Sequence, residues 1–193
     1  MAYLEAFSPS VLQHMKTRYN AVTRWIHWLI AILVVANFIL GPEDLDESEN
    51  LVSDWSAQLH ETLGLVVFGL SVFRMVWMLF AQPRLHIPMS TLMSMNAKTL
   101  QATLYLWLLA VPLTAVSGMW LNGDALNLLG NTTIMTPFAT IKHSSALLLD
   151  LHVIFADLLM WLAGVHAGAA LFHHYILKDT VLKSMMSKSL GDP

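Results

Sequence analysis

Residues 151–179 read LHVIFADLLMWLAGVHAGAALFHHYILKD. This stretch is apolar enough to cross a bilayer, yet it carries His152 and His166 inside the apolar run. In an α-helix, the rise between these two residues is about 21 Å and their angular offset is about 40°. Ionisable side chains in a membrane helix usually face the bundle interior and serve a function, and a neutral imidazole is a common metal ligand. The stretch therefore predicts a membrane helix with two candidate ligands at different depths.

The composition of the whole chain agrees with a membrane protein. Of its 193 residues, 56% are hydrophobic and 12% are charged, whereas about 25% are charged in soluble domains. A span needs about 20 apolar residues to cross a hydrocarbon core of about 30 Å. Four segments meet this condition: 24–41, 61–80, 100–121 and 147–177. We predict an all-α fold, a membrane-embedded four-helix bundle that occupies residues 20–187.

The basic residues predict the orientation. An even number of spans puts nine of the ten on one side, and only Lys142 on the other. The loop 41–58 on that other side contains six acidic residues and no basic one. Because cytoplasmic loops are enriched in Lys and Arg, we expect both termini in the cytoplasm, with residues 1–19 and 188–193 forming a cytoplasmic segment and tail.

The chain contains no cysteine. This excludes disulfides, thiolate-held iron–sulfur clusters and covalent haem attachment through a C-x-x-C-H motif. A redox centre would have to be held by histidine, methionine or carboxylate. The net charge of −3 gives no indication of nucleic-acid binding, and we predict no such partner.

The topology sorts four histidines into two layers. His27 lies near the inner end of the first span and His60 near the outer end of the second. The fourth span runs inward, so His152 is outer and His166 is inner. The expected pairs are His60 with His152 and His27 with His166. Two imidazoles from different helices at one level are what a six-coordinate haem iron needs as axial ligands, so we predict four iron ligands and two haems.

Interhelical hydrogen bonding and zinc binding compete with haem ligation as roles for these histidines. Each histidine alone is equally well explained by a hydrogen bond across helices, but the sorting of four into two layers favours a shared cofactor. Zinc is disfavoured because two histidines per layer leave a tetrahedral site short of ligands.

Three further polar residues lie in or near the spans. Arg74 is on nearly the same face as His60 and one layer inward, where it would bind a haem propionate or, alternatively, snorkel to the cytoplasmic interface. His173 continues the stripe of His152 and His166; it is a candidate proton-handling group for a lipid-soluble redox partner or an interfacial histidine. Asp157 would hydrogen-bond as a neutral acid or relay a proton.

The chain resembles the prokaryotic cytochrome b561 family of four-helix, di-haem membrane proteins over residues 17–187. The resemblance is carried by short motifs along the four spans: Arg18-Tyr19-Asn20, Ile26-His27-Trp28, His60 to Gly64 with Arg74, Leu104-Tyr105, Val111-Pro112 with Gly118, His152, His166, and His173-His174-Tyr175 to Asp179. It implies two haem b groups on the same four histidines. It also implies an electron carrier of the bacterial inner membrane, multi-pass and in contact with lipid, that exchanges electrons with ubiquinone.

At least one type in the family oxidises superoxide at the outer face and passes the electron to quinone, with the position of His173 near the quinone. This chain departs from the family pattern at Gln101, where relatives often have histidine, and at Asp157, where asparagine is common. Its acidic outer loop should repel an anionic donor. Whether it is an enzyme or a carrier therefore stays open. A cytochrome b anchor subunit of a hydrogenase or dehydrogenase and a non-redox membrane scaffold with structural histidines are the alternatives.

Overall fold

Four long helices form the fold in a computed structural model that describes residues 18–41, 50–80, 90–130, 132–137 and 139–186. All four are long and apolar enough to cross a membrane, and the predicted all-α four-helix fold is confirmed. Their bounds are Ala21–Ile39 (α1), Asn50–Phe80 (α2), Thr91–Asn122 (α3) and Lys142–Phe172 (α4).

Shorter elements lie at the ends of the long helices. Between α3 and α4, Leu126–Leu128 (β1) and Thr132–Ile134 (β2) pair as an antiparallel hairpin. A π-helical turn, His173–Leu177, follows α4, and the short helix Val181–Met185 (α5) comes after it. Residues 1–17 and 187–193, and the acidic residues 43–49, lie outside the described part of the chain. The cytoplasmic orientation and the domain limits stay predictions.

Local sequence explains where α1 begins and where α3 ends. Asn20 caps α1: its Oδ1 accepts a 2.8 Å hydrogen bond from the backbone N–H of Thr23, which satisfies one of the free amides of the first turn. Helix α3 ends at Gly123, whose φ of 94° is in the left-handed region. Glycine adopts that conformation without the steric cost that a Cβ brings. Pro112 lies inside α3.

A cluster of buried apolar side chains lies among the four long helices, and each helix contributes one residue to it: Ile30, Val67, Leu108 and Leu159. On α4, Leu159 is seven residues after His152 and seven before His166, so the three side chains share a stripe about two turns apart. On α2, Val67 likewise follows His60 by seven residues. The apolar cluster therefore separates the outer histidines from the inner ones.

The helices are not equally close. Helices α3 and α4 pack most extensively, and α1 packs along α2. Gly118 of α3 is buried where the side chains of Leu148 and Leu149 approach it. Within the described residues, α4 approaches the backbones of α1 and α2 at very few positions. Within each histidine pair, the two helices therefore have backbones that stand apart, whereas α1 and α2 are close to each other.

Candidate haem sites

The structure brings the four histidines together in two pairs. The ring centroids of His27 and His166 are 6.2 Å apart, with an angle of 80° between the ring planes. Those of His60 and His152 are 6.1 Å apart, with an angle of 87°. The pairs are the ones that the topology predicted, each joining α4 to a different helix. Among the described residues, no three His, Cys, Asp or Glu side chains gather as a metal site.

This spacing matches what an axial ligand pair requires. An imidazole nitrogen binds a first-row metal at about 2.0 Å and lies about 1.2 Å from its own ring centre, so the centroids of two axial ligands should be about 6.4 Å apart. Both observed separations are within a few tenths of an ångström of that value. The ring separations therefore fit one metal ion held between the two imidazoles of each pair.

The hydrogen bonds of the outer pair involve Nδ1 of each ring, and this leaves Nε2 as the nitrogen that can bind a metal. His60 Nδ1 lies 3.0 Å from the carbonyl oxygen of Asn37, and His152 Nδ1 lies 2.9 Å from that of Val111. A carbonyl can only accept, so each Nδ1 carries the proton and each Nε2 keeps its lone pair. Metal-ligating histidines almost always donate their second N–H in this way, which fixes the tautomer. The Asn37 carbonyl is available because it lies in the last turn of α1, where carbonyls lack intrahelical partners.

The inner pair differs because Arg74 is involved. Arg74 Nη1 lies 2.8 Å from Nδ1 of His27. The guanidinium can only donate, so Nδ1 of His27 accepts and the proton is on Nε2. Ligation of iron through Nε2 therefore requires Arg74 to release His27, whose imidazole then takes the tautomer of the outer pair.

Arg74 is a buried cation, with 7% of its surface exposed. Its guanidinium carbon lies 5.6 Å from the ring centre of Tyr105, within range of a cation–π contact. In the part of the chain that the structure describes, no carboxylate forms a salt bridge with it, and its Nε has no hydrogen-bond partner. One turn earlier on α2, the fully buried hydroxyl of Ser71 also lacks a partner there. A buried cation beside an unpartnered donor fits an anionic group at the inner pair.

The outer layer is covered by the hairpin. Glu61 Oε2 accepts a 2.6 Å hydrogen bond from the backbone N–H of Asn127, and Thr62 Oγ1 accepts a 3.0 Å bond from that of Leu129. Leu126 in β1 is buried with 3% exposure. The sequence pattern did not predict this contact, because a hairpin of three-residue strands has too little periodicity to detect. Glu61 therefore anchors the cover beside His60.

At the inner end, His173 pairs with Asp179, although a continuous α-helix would place the two side chains on different faces. Its Nδ1 lies 2.5 Å from Oδ2 of Asp179. In a continuous α-helix, a separation of six residues would put the two side chains about 120° apart. The π-helical turn and the left-handed Lys178, whose φ is 55°, reverse the chain and bring Asp179 back. π-Helical turns often occur at functional sites.

Asp157 lies apart from both pairs. It lines an open groove of about 410 Å³ between α1 and α4, together with Phe38, Met160, Trp161, Gly164 and Val165. The side chain is exposed at the outer surface of the bundle. It thus contacts neither histidine layer, and its role as a neutral hydrogen-bonding acid or proton relay stays a prediction.

Several known proteins resemble this chain over most of its length. The family model described as prokaryotic cytochrome b561 matches residues 18–188. Cytochrome b561 homolog 1 of Escherichia coli is 29% identical over 89% of this chain and 98% of its own length. The probable superoxide oxidase CybB of Yersinia pestis is 26% identical over 92% of this chain and its full length. Cytochrome b562 of Cereibacter sphaeroides is 32% identical over 87% and 94% of the two chains.

Family membership defines the cofactor and the broad activity. Cytochromes of this family are bacterial membrane proteins with haem b and electron-transport function. The four apolar helices and the imidazole pairs between them are consistent with that chemistry. The chain belongs to the prokaryotic cytochrome b561 family.

Proposed function

We propose that the protein is a di-haem b-type cytochrome of the bacterial inner membrane that moves electrons between an outer and an inner haem and exchanges them with ubiquinone. The observation that carries the proposal is the pair of ring separations, 6.2 and 6.1 Å. A bound haem supplies a one-electron iron centre at each layer. His60 and His152 would hold the outer haem, and His27 and His166 the inner one.

The second contacts of the ligands support this assignment. The carbonyls of Asn37 and Val111 accept the Nδ1 protons of the outer imidazoles, which leaves Nε2 of each ring as the nitrogen that would bind iron. At the inner layer, Arg74 and the Ser71 hydroxyl are the donors for a haem propionate, and binding of that anion would free His27 Nδ1 from Arg74. The cost of a buried, unpaired guanidinium would then be offset by a charge-assisted hydrogen bond.

The distance between the layers suits transfer across the membrane. Helix α4 is unbroken from Lys142 to Phe172, so His152 and His166 differ in height by about 21 Å. The apolar cluster of Ile30, Val67, Leu108 and Leu159 fills the space between them and excludes water. With both termini in the cytoplasm, the outer pair would face the periplasm and the inner pair the cytoplasm.

Quinone is the proposed partner at the inner end. His173 follows His166 by seven residues, so it lies about 10 Å further inward on the same stripe. It is half-buried at the end of a membrane-spanning helix, where a lipid-soluble molecule has access. Its second ring nitrogen, Nε2, would exchange a proton with the quinone.

The test is optical. A reduced-minus-oxidised spectrum of the purified protein, with haem quantified as the pyridine complex, should show two haem b per chain. Fewer than two in a fully loaded sample would contradict the di-haem assignment. A colourless protein would favour the non-redox scaffold, and copurification of a large catalytic subunit would favour the anchor subunit of a hydrogenase or dehydrogenase.

A superoxide oxidase is the second candidate, because the Yersinia pestis relative bears that name. The acidic residues of segment 41–58, which the sequence predicted as an outer loop and of which 50–58 lie in α2, oppose it, since negative charge repels an anionic substrate. Quinone-dependent consumption of superoxide by the haem-loaded protein would decide for this activity. Its absence, with quinone exchange intact, would leave an electron carrier.

A further inference from the structure

The inner end contains a residue whose contacts go beyond the proposed haem sites. Asp179 is joined to His173 twice: its Oδ2 lies 2.5 Å from His173 Nδ1, and its backbone N–H donates to the carbonyl of His173 at 3.2 Å. Its other oxygen, Oδ1, accepts a 3.0 Å bond from the N–H of Val181, the first residue of α5. One carboxylate therefore holds both the histidine and the helix that follows.

Helix α5 is in turn fixed to the beginning of α1. The N–H of Tyr19 donates to the carbonyl of Ser184 at 3.2 Å, and Trp28 Nε1 donates to that of Met185 at 2.9 Å. Ser184 itself is buried, with 2% exposure. Because Trp28 adjoins His27, the bonds of Asp179 connect His173, through α5, with the neighbour of an inner histidine.

We propose that Asp179 is a positioning residue: it keeps the proton of neutral His173 on Nδ1 and so presents Nε2 as the nitrogen that exchanges a proton with a bound quinone. A carboxylate accepts only, so the facing Nδ1 must donate. The same carboxylate stabilises the imidazolium that forms when Nε2 takes up a second proton, as the aspartate of a hydrolase triad does for its histidine. The functional part of this inference rests on the proposed quinone reaction.

The proton balance defines what His173 does. Reduction of a quinone takes up two electrons and two protons, converting two carbonyls to hydroxyls. The electrons come from the inner redox centre of the cytochrome. Nε2 of neutral His173 first takes up a proton from water at the cytoplasmic boundary, and the imidazolium then donates that proton to one quinone oxygen. Water at the same boundary supplies the second proton to the other oxygen. Asp179 is 24% exposed and His173 is 13% exposed, so the pair lies where water reaches its edge. In quinol oxidation the same proton moves in the opposite direction.

The variant Asp179→Asn separates positioning from simple packing. An amide of the same shape offers one acceptor oxygen and one NH2 donor. Val181 N–H can only donate, so it retains the oxygen and the NH2 group faces the imidazole. Only the imidazole can exchange its donor and acceptor roles, and it should therefore move its proton from Nδ1 to Nε2.

Nitrogen-15 NMR of the haem-loaded, reduced protein with labelled histidine measures directly which ring nitrogen of His173 carries the proton. His173→Ala identifies the resonances of His173. We expect the Nδ1–H tautomer in the natural protein and the Nε2–H tautomer in Asp179→Asn, with equal haem content by absorbance. Asp150→Asn, which removes an exposed acid at the opposite end of α4, should leave the tautomer unchanged. Should Asp179→Asn load haem poorly, Asp179→Ala serves instead, and loss of the Nδ1–H preference is then expected.

The second readout is reoxidation of the reduced protein by a short-chain ubiquinone. We expect Asp179→Asn to lower kcat by about 100-fold, the size of a general acid–base contribution, with little change in KM. A variant that keeps the Nδ1–H tautomer would overturn the proposal, and so would a reversed tautomer with unchanged kcat. If the natural protein itself does not react with quinone, the proposed function fails, while the NMR result still decides whether Asp179 positions His173.

Discussion

Nη1 of Arg74 on α2 lies 2.8 Å from Nδ1 of His27 on α1. This contact joins a buried cation to a predicted haem ligand, and the donor chemistry of the guanidinium places the proton of His27 on the nitrogen that would bind iron. An anion bound at the inner pair would therefore compete with His27 for the hydrogen bond from Arg74. A haem propionate there would accept hydrogen bonds from Arg74 and would leave Nδ1 of His27 free to carry a proton.

Arg74→Gln should lower the reduction potential of the inner haem, because a positive charge near the iron stabilises the added electron. In an effective dielectric of about 20, a nearby unit charge contributes on the order of 1–2 kcal/mol, so the potential should fall by several tens of millivolts for one electron. A redox titration followed by absorbance measures the shift. Arg74→Lys should retain most of the potential, and Lys98→Gln, at an exposed position, should change nothing. Two unshifted haems in Arg74→Gln would contradict the placement of Arg74 at the inner haem.

Single histidine variants should each remove one haem and spare the other. Replacing His27 or His166 with alanine deletes an axial ligand of the inner pair, and replacing His60 or His152 deletes one of the outer pair. Haem quantified against protein should fall from two to about one, and the two groups of variants should lose different spectral components. His143→Ala, at an exposed position before the ligand stripe, is the control and should keep both. If loss of His166 left two haems, the pairing would be wrong.

Glu61→Ala should loosen the hairpin that covers the outer pair. The change removes the acceptor of the Asn127 N–H, and a hydrogen bond of this kind contributes about 1 kcal/mol. Hydrogen exchange at Asn127 should become faster by about fivefold, which corresponds to that free energy. Glu61→Gln keeps an acceptor oxygen and should exchange at nearly the natural rate. Equal exchange rates in Glu61→Ala and the natural protein would show that Glu61 does not hold the hairpin.

Gly118→Ala should destabilise the packing of α3 against α4. A Cβ at this position would lie 2.9 Å from Cγ of Leu149 and 3.3 Å from Cβ of Leu148, so the leucine side chains or one of the helices must shift. Overpacking of this kind costs about 1–3 kcal/mol, and the thermal midpoint in detergent should fall. Gly69→Ala is the matched control, since no atom lies within 4 Å of its added Cβ. It should be neutral or slightly stabilising because alanine is the better helix former. A Gly118→Ala midpoint equal to that of Gly69→Ala would show that the helices have space there.

Sequence alone determined the architecture and predicted which histidines lie together in pairs. Apolar length gives the spans, because the thickness of the hydrocarbon layer sets the number of residues in a crossing helix. The fixed pitch of the α-helix places His152 and His166 on one stripe, and the alternating direction of the spans assigns His60 and His27 to the two layers. These inferences need only local periodicity and the order of the segments.

Tertiary structure determined the contacts that helical periodicity does not predict. The ring separations, the carbonyls of Asn37 and Val111 that fix the outer tautomers, and the bond from Arg74 to His27 all depend on how the helices pack. The pairing of His173 with Asp179 depends on a π-helical turn and a left-handed residue, which break the repeat of 3.6 residues on which a prediction of helix faces rests. The hairpin that Glu61 anchors is too short to leave a pattern. Whether these residues meet depends on the path of the backbone in the folded chain, and the sequence pattern does not show that path.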